Sequence, residues 1–406
     1  MSPVERRLCS PRFVFLSLSL LVLLAFALSP MTRKRIGIFD GGYWFMDSHA
    51  VLAGIESHRA GIAAGDPNPF DVMQRTWKYS DWWYGLGKIG LTLDDNFLLG
   101  GSWVLGFLAV VSLTVRPTRY GEALWLALLL SSPPFLLAIN RANNDLVVFS
   151  LLGFALIALR TDSNLRVSIA IGLVALASGL KFYPVVALLA FFLVRPRQRI
   201  VRITAAAVAV IGAALASVAS QIGRGSFSIE SKPHRLGGRM LFTDAGLSES
   251  RATLVTIAVF TMAVLVAVRF RWTGKSDPES DLSENRRMMT MGAVVLVACF
   301  LLGINAAYRW IFALWIAPWL WENRQINFSA RLGVWLLPFC LWHDAGLCWV
   351  INRWFRNLSE EQYARIEVVW RAATEPFVWC LMILLGGWLL NLVWNTAKEV
   401  WRSPPV

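Results

Sequence analysis

The chain has 406 residues, of which 56% are hydrophobic and 16% charged, with a formal net charge of +13. Soluble domains carry roughly 45–50% apolar and about 25% charged residues, so an ordinary soluble fold is excluded. The excess Lys and Arg lies mainly in short connections between apolar runs, which reads as a membrane-orientation signal rather than a nucleic-acid surface, and nucleic acid is excluded as a partner.

Hydropathy predicts an all-α, polytopic membrane protein with about twelve transmembrane helices. The spans fall at 13–30, 96–115, 122–139, 145–160, 167–181, 183–195, 200–220, 251–270, 288–305, 309–321, 331–351 and 375–397. Several Trp lie near span ends (Trp272, Trp310, Trp321, Trp354, Trp401), as in an aromatic belt. Arg6, Arg7 and Arg12 precede the first span, which reads as an uncleaved signal anchor even though Ala25-Phe26-Ala27 resembles a signal-peptidase site. The pair 167–181 and 183–195 reads as two short helices dipping toward a cavity, where irregular backbone is tolerated at membrane depth. Basic residues such as Arg116, Arg119, Arg160, Arg166, Arg195, Arg197, Arg199, Arg269, Arg271, Arg324 and Arg402 mark the cytoplasmic segments, and an even span count places both termini there. No fixed-period repeat and no linker to a soluble domain is visible, so residues 1–406 read as one membrane domain with 274–287 as a cytoplasmic loop.

Residues 31–95 form the first outer loop. Its Trp44, Phe45, Trp77, Trp82, Trp83 and Tyr84 predict a packed loop carrying short amphipathic helices at the membrane surface. Ser48–Arg59 reads as one such helix with Asp47 as its N-cap, and Gly65-Asp66-Pro67-Asn68-Pro69 as a turn. Asp40, followed by Gly41-Gly42, is a turn former or a second outer carboxylate. A second outer loop, 221–250, holds Arg224, Lys232, His234, Arg235 and Arg239, and lines a head-group channel or is solvated. A third, 352–374, alternates charges as an exposed amphipathic helix does. Four of the five Cys lie in apolar segments without a CxxC, as buried free thiols do. The four His (His49, His58, His234, His343) have no ligand spacing, so no metal site is expected. His343-Asp344, inside a late span, reads as a buried hydrogen-bonded pair.

Three polar knots interrupt the apolar sequence: Asn140-Arg141-Ala142-Asn143-Asn144-Asp145, Gly179-Leu180-Lys181-Phe182-Tyr183-Pro184 and Asn305-Ala306-Ala307-Tyr308-Arg309. In the topology above, all three lie at the outer face. A charge at the edge of the hydrocarbon layer needs a partner or a job, and cations with amides at one face suit an anionic, lipid-borne ligand. The chain has no Gly-x-Gly-x-x-Gly or P-loop to hold a nucleotide, and no cofactor is expected.

The order of an aspartate-bearing first loop, Gly65-Asp66-Pro67-Asn68-Pro69-Phe70, Trp77-Lys78-Tyr79-Ser80-Asp81-Trp82-Trp83, Asn143-Asn144-Asp145, Leu180-Lys181-Phe182-Tyr183-Pro184 and Asn305-Ala306-Ala307-Tyr308-Arg309 resembles the GT-C membrane glycosyltransferases. It is most similar to the polyprenol-phosphate-mannose-dependent group, glycosyltransferase family 87. The chain departs from the family's pattern at Pro69-Phe70 and at Tyr79-Ser80-Asp81. The resemblance implies a GT-C-like fold in the bacterial inner membrane. It also implies a transferase that moves a sugar, mannose or another hexose, from a polyprenyl-phosphate donor to a lipid or glycan acceptor outside the membrane. On that reading Asp47 is the base with Asp40 as the alternative, and Lys181 and Arg309 contact phosphate with Arg141 as a third cation. Asn143, Asn144 and Asp145 bind sugar hydroxyls or orient the cations, and Tyr183 and Tyr308 also face substrate. A flippase of lipid-linked saccharides would show internal repeats, and a polymerase or ligase would transfer whole oligosaccharides.

Overall fold

Long apolar runs fold as helices because a membrane offers no water to backbone N–H and C=O groups, which must then pair within the segment. The computed structural model describes residues 10–38, 43–161, 163–194, 200–221, 235–270, 283–302, 305–354 and 359–402. The chain divides into two units: Met1–Phe39, Val115–Leu136 and Ile229–Val406 form one, and Asp40–Thr114 with Leu137–Ser228 the other. We call them units 1 and 2. Asp40 lies outside the described residues, as do Arg224, Lys232 and His234 of the second outer loop.

Among the described residues, five helices are long and apolar enough to cross a membrane: Pro11–Leu28, Leu93–Thr114, Glu249–Arg269, Phe328–Ile351 and Glu361–Lys398. The number is six if the bent pair Tyr120–Leu130 and Pro133–Arg141 is one span, against the expected twelve or so. The difference has local causes. The expected span 122–139 breaks at Ser131-Ser132, ahead of Pro133-Pro134, which lack the N–H a continuous helix needs. Asp145–Ala158 and Asn164–Leu180 are apolar but have 14 and 17 residues, short of the ~20 a straight crossing takes. The expected pair of short helices at 167–195 is present, as Asn164–Leu180 and Ala187–Val194 joined by a 3-10 turn, Tyr183–Val186.

Unit 1 turns apolar side chains outward: Leu20, Leu21, Leu24 and Leu28 of Pro11–Leu28, and Leu254, Met262 and Leu265 of Glu249–Arg269, are exposed. Faces of this kind need a non-aqueous cover, and the chain is a membrane protein. Its interior holds Phe300, Trp310, Phe312 and Trp315. A two-residue antiparallel pairing joins Arg235–Leu236 to Asn305–Ala306. His343 meets Asp344 at 3.3 Å while its Nδ1 lies 3.0 Å from the Cys340 carbonyl; the expected pair is present, but half-buried rather than buried. The segment before 375 corrects the sequence reading. It is no separate surface helix but the start of Glu360–Arg402, a single 43-residue helix. Its charges alternate because one side is buried: Arg371 holds Glu367 at 2.9 Å and Asp244 at 3.1 Å, and Glu367 is 2% exposed.

Unit 2 builds its core from Val51, Leu52, Ile55, Trp77, Trp83, Leu99, Trp103, Ala142 and Leu180, so the aromatic first loop packs rather than floats. Tyr84 stacks on both His58 and Trp77, with ring centroids 4.2 and 4.7 Å apart. Helix Met46–Arg59 admits this only because residue 54 is glycine: a Cβ there would stand 2.0 Å from the Trp77 ring. Gly54→Ala should therefore cost about 1–3 kcal/mol by overpacking. Thermal unfolding of the purified variant checks this, with Gly65→Ala, where nothing lies within 4 Å, as the unchanged control.

Candidate functional site

Helix Met46–Arg59 starts two residues earlier than its sequence suggests, because its N-cap is Phe45 in the left-handed region (φ 62°). Asp47 is therefore in the first turn, not at the cap. Phe45 is pinned by its N–H donating to the Asn140 carbonyl (2.8 Å) and by its ring lying where a Cβ on Gly100 would stand. One residue past Asp47, the Ser48 hydroxyl donates to Asn96 Oδ1 at 2.7 Å. Asp47 is thus clamped from both sides, and its carboxylate turns inward.

Four contacts fill that carboxylate. Arg141 Nη2 donates to Oδ1 (2.6 Å) and Arg141 Nε to Oδ2 (3.1 Å), a two-pronged pair. Asn143 Nδ2 donates to Oδ2 at 2.6 Å, and Arg75 Nη1 approaches Oδ1 at 3.5 Å. A carboxylate offers about four acceptor positions, so none is left open. Burial alone would raise the Asp47 pKa, but Arg141 and Arg75 with the Asn143 amide outweigh it and hold the carboxyl below its ordinary range. The stability this pair contributes is complete above the ordinary carboxylate value and is lost only as pH falls through the depressed one.

The turn between helices Pro133–Arg141 and Asp145–Ala158 sets the polar knot. The Ala142 N–H donates to the Ile139 carbonyl and the Asn143 N–H to the Ala138 carbonyl, the Schellman closure of a helix end. Its left-handed position is usually glycine; here Ala142 takes it with φ 42°. Asn143 then works twice. Its Oδ1 accepts the Asp145 N–H (2.9 Å), opening the next helix, while its Nδ2 faces Asp47. Asn144 occupies the N-cap position without a side-chain cap bond, and the buried Nδ2 atoms of Asn140 and Asn144 have no hydrogen-bond partner.

Asp145 in turn holds the second knot: Lys181 Nζ is paired with Asp145 Oδ1, and the Tyr183 hydroxyl donates to the same oxygen at 2.8 Å. Lys181 caps helix Asn164–Leu180 in an extended conformation. Its place is fixed by the Trp-rich motif of the first loop. Trp82 lies on Gly179, where a Cβ would stand 2.5 Å from the ring, and Trp83 Nε1 donates to the Leu180 carbonyl at 3.3 Å. The Gly-Asp-Pro-Asn-Pro-Phe motif has a matching task. Asn68 Oδ1 accepts the Phe70 N–H (2.9 Å) to form the predicted turn, which presents Asp71 and Arg75. Arg75 Nε donates to Asp71 Oδ2 (2.8 Å) and Nη2 to the Met46 carbonyl (2.9 Å). His49, beside them, is held below its ordinary pKa by burial and by Arg75, against the opposing pull of Asp71.

Arg75 and its partner Asp71 are not among the site residues expected from the sequence. Their four-residue spacing directly after the Pro turn was the available signal. Asp47, Arg141, Asn143, Asn144, Asp145, Lys181 and Tyr183 fall in unit 2, and the contacts run unbroken from Arg75 through Asp47, Asn143 and Asp145 to Lys181. Tyr308 and Arg309 are in unit 1, half-buried on the 3-10 turn Ala307–Phe312. Among the described residues, no group of three or more His, Cys, Asp or Glu is placed to hold a metal ion.

Two features set this network apart. The cations face outward and the carboxylates lie behind them: side chains of Arg75, Arg141 and Lys181 are 28, 23 and 18% exposed, those of Asp47, Asp71 and Asp145 5, 2 and 2%. The three non-glycine residues with positive φ among the described residues, Phe45, Gln74 and Ala142, each lie within two positions of Asp47, Arg75 or Arg141. Backbone held in such conformations costs about 1–3 kcal/mol per residue and gathers at functional sites.

The family model for glycosyltransferase family 87 matches residues 97–299, half of the chain. No curated protein and no solved structure matches it.

Proposed function

The chain belongs to glycosyltransferase family 87, and from that premise we propose that it moves a hexose, mannose first among candidates, from a polyprenyl-phosphate donor to a hydroxyl of a lipid or glycan acceptor. The reaction takes place at the extracytoplasmic face of the bacterial inner membrane. In this reading both termini are cytoplasmic, and the shorter apolar helices complete a bundle of about twelve spans. The observation that carries it is the outward layer of Arg75, Arg141 and Lys181, each backed by a buried carboxylate that fixes its direction. An anionic head group arriving from outside meets three aimed cations before any acid.

Chemically, the bond between the sugar's anomeric carbon and the phosphate oxygen breaks, and its electron pair stays on the phosphate, which Lys181 and Arg141 stabilise. The acceptor oxygen bonds to that carbon from the opposite side and inverts it. The acceptor proton passes to Asp47, or to Asp40 if that carboxylate is the base. Asn143, Asn144, Asp145 and Tyr183 orient the cations and the sugar. Arg309 and Tyr308 of unit 1 are assigned to substrate as well, and Arg309→Ala kinetics tests that assignment.

Purified protein incubated with labelled polyprenyl-phosphate mannose and mixed lipid and glycan acceptors should transfer label with inversion and release polyprenyl phosphate. A folded protein that transfers no hexose from any such donor contradicts the proposal. Lys181→Ala should lower kcat/KM for the donor roughly 10- to 100-fold, the effect of losing one charge-assisted hydrogen bond.

A further inference from the structure

The proposed base is fully occupied in the structure. A carboxylate whose acceptor positions all face guanidinium and amide donors cannot take a proton from an acceptor hydroxyl until one of them leaves. The four contacts are unequal. Arg141 and Asn143 lie at 2.6–3.1 Å, whereas Arg75 stands at 3.5 Å and is the most exposed of the three cations. Arg75 also has a second anchorage: Asp71 at 2.8 Å and the Met46 carbonyl at 2.9 Å hold it near Asp47 whether or not it touches that carboxylate. Three of its five N–H donors are thereby engaged, and two remain for an incoming anion.

We propose that Arg75 is a positioning residue that covers Oδ1 of Asp47 in the resting enzyme and is drawn off by the donor's phosphate, so that the base opens only when the donor is in place. The inference rests on the reading of Asp47 as base. It goes beyond that reading in naming Arg75, and in making the order of events, donor before acceptor deprotonation, a property of the site. Arg141 and Asn143 stay on Asp47 throughout and keep it aimed.

Several charged or titratable groups face this pair. Arg141 comes from the end of its helix, and Asp71 and Tyr79 face Arg75 from the first loop. His49 lies on the helix of Asp47, and Asp145 with Lys181 and Tyr183 lies behind Asn143. Since His49, on the same helix, is itself held below its ordinary pKa by burial, pH profiles are best recorded in a His49→Gln background. The acid limb of kcat/KM for the donor reports the free enzyme and that of kcat the donor complex. Loss of one neighbouring cation should place the kcat limb about one pH unit above the kcat/KM limb. Arg75→Gln should raise the donor KM about ten-fold and abolish the gap between the limbs, whereas Arg75→Lys, which keeps the charge, should restore part of both. Thermal unfolding of each variant confirms that it is folded. Coincident limbs in the parent, or a full gap surviving in folded Arg75→Gln, overturn the inference. By contrast, absent transfer, or full turnover in Asp47→Asn, defeats the underlying reading instead.

Discussion

Asp47→Asn should lower the turnover of sugar transfer by about 10²–10⁴-fold while the protein still binds polyprenyl phosphate, because the amide cannot take the acceptor proton but leaves Lys181 and the arginines in place. The measurement is single-turnover transfer beside equilibrium binding of the same lipid. A lipid flippase built on the same residues would behave differently, moving lipid at an unchanged rate. The size of the loss also separates Asp47 from Asp40. If Asp40→Asn produces the large effect and Asp47→Asn a loss of only a few fold, the base is Asp40 and Asp47 is an anchor for Arg141.

Arg141→Ala should be the most damaging single change to the folded state of unit 2. It leaves the buried Asp47 carboxylate with only Asn143 and a distant Arg75 for company. Breaking a buried pair from one side costs about 3–5 kcal/mol, and the surviving Asn143 contact places this case at the lower end. The cost is that of an uncompensated charge, so removing both partners should reverse it. Asp47→Leu with Arg141→Met should recover most of the thermal stability, yet transfer should stay abolished. Arg141→Lys should fall between, since a point charge cannot reproduce the two-pronged contact. Chemical denaturation and transfer rates measured on the parent, Asp47→Leu, Arg141→Met and the double variant complete the cycle.

Much of this site was legible in the chain because its cations and amides stand against apolar sequence. Arg141 and Lys181 are conspicuous because the short polar knots that hold them interrupt long runs of Leu, Ala, Phe and Val, and their co-location with Asp145 followed from placing both knots at one face. Arg75 and Asp71 were not conspicuous, since the first loop carries many charges and only a four-residue spacing after the Pro turn sets these two apart. The left-handed conformations of Phe45, Gln74 and Ala142 were equally hidden. Sequence rules assign that conformation to glycine or asparagine; here the local helix-end closure holds Ala142 in it, and tertiary contacts hold Phe45, through the Asn140 carbonyl and the bare face of Gly100. The contacts on Phe45 move the N-cap from Asp47 to Phe45, which frees the carboxylate for Arg141. Hydropathy misjudged the spans for a different reason. It averages over breaks such as Ser131-Ser132-Pro133-Pro134, and it takes Glu367 and Arg371 for solvated surface when their pairing lets Glu367 be buried in the start of a 43-residue helix.

The account stands or falls on where a lipid phosphate lands. Polyprenyl phosphate carrying a photoreactive group beside its phosphate should label peptides bearing Arg75, Arg141 or Lys181, and unlabelled lipid should compete the label away. Saturable labelling confined to other parts of the chain, with those three peptides clean, would contradict it.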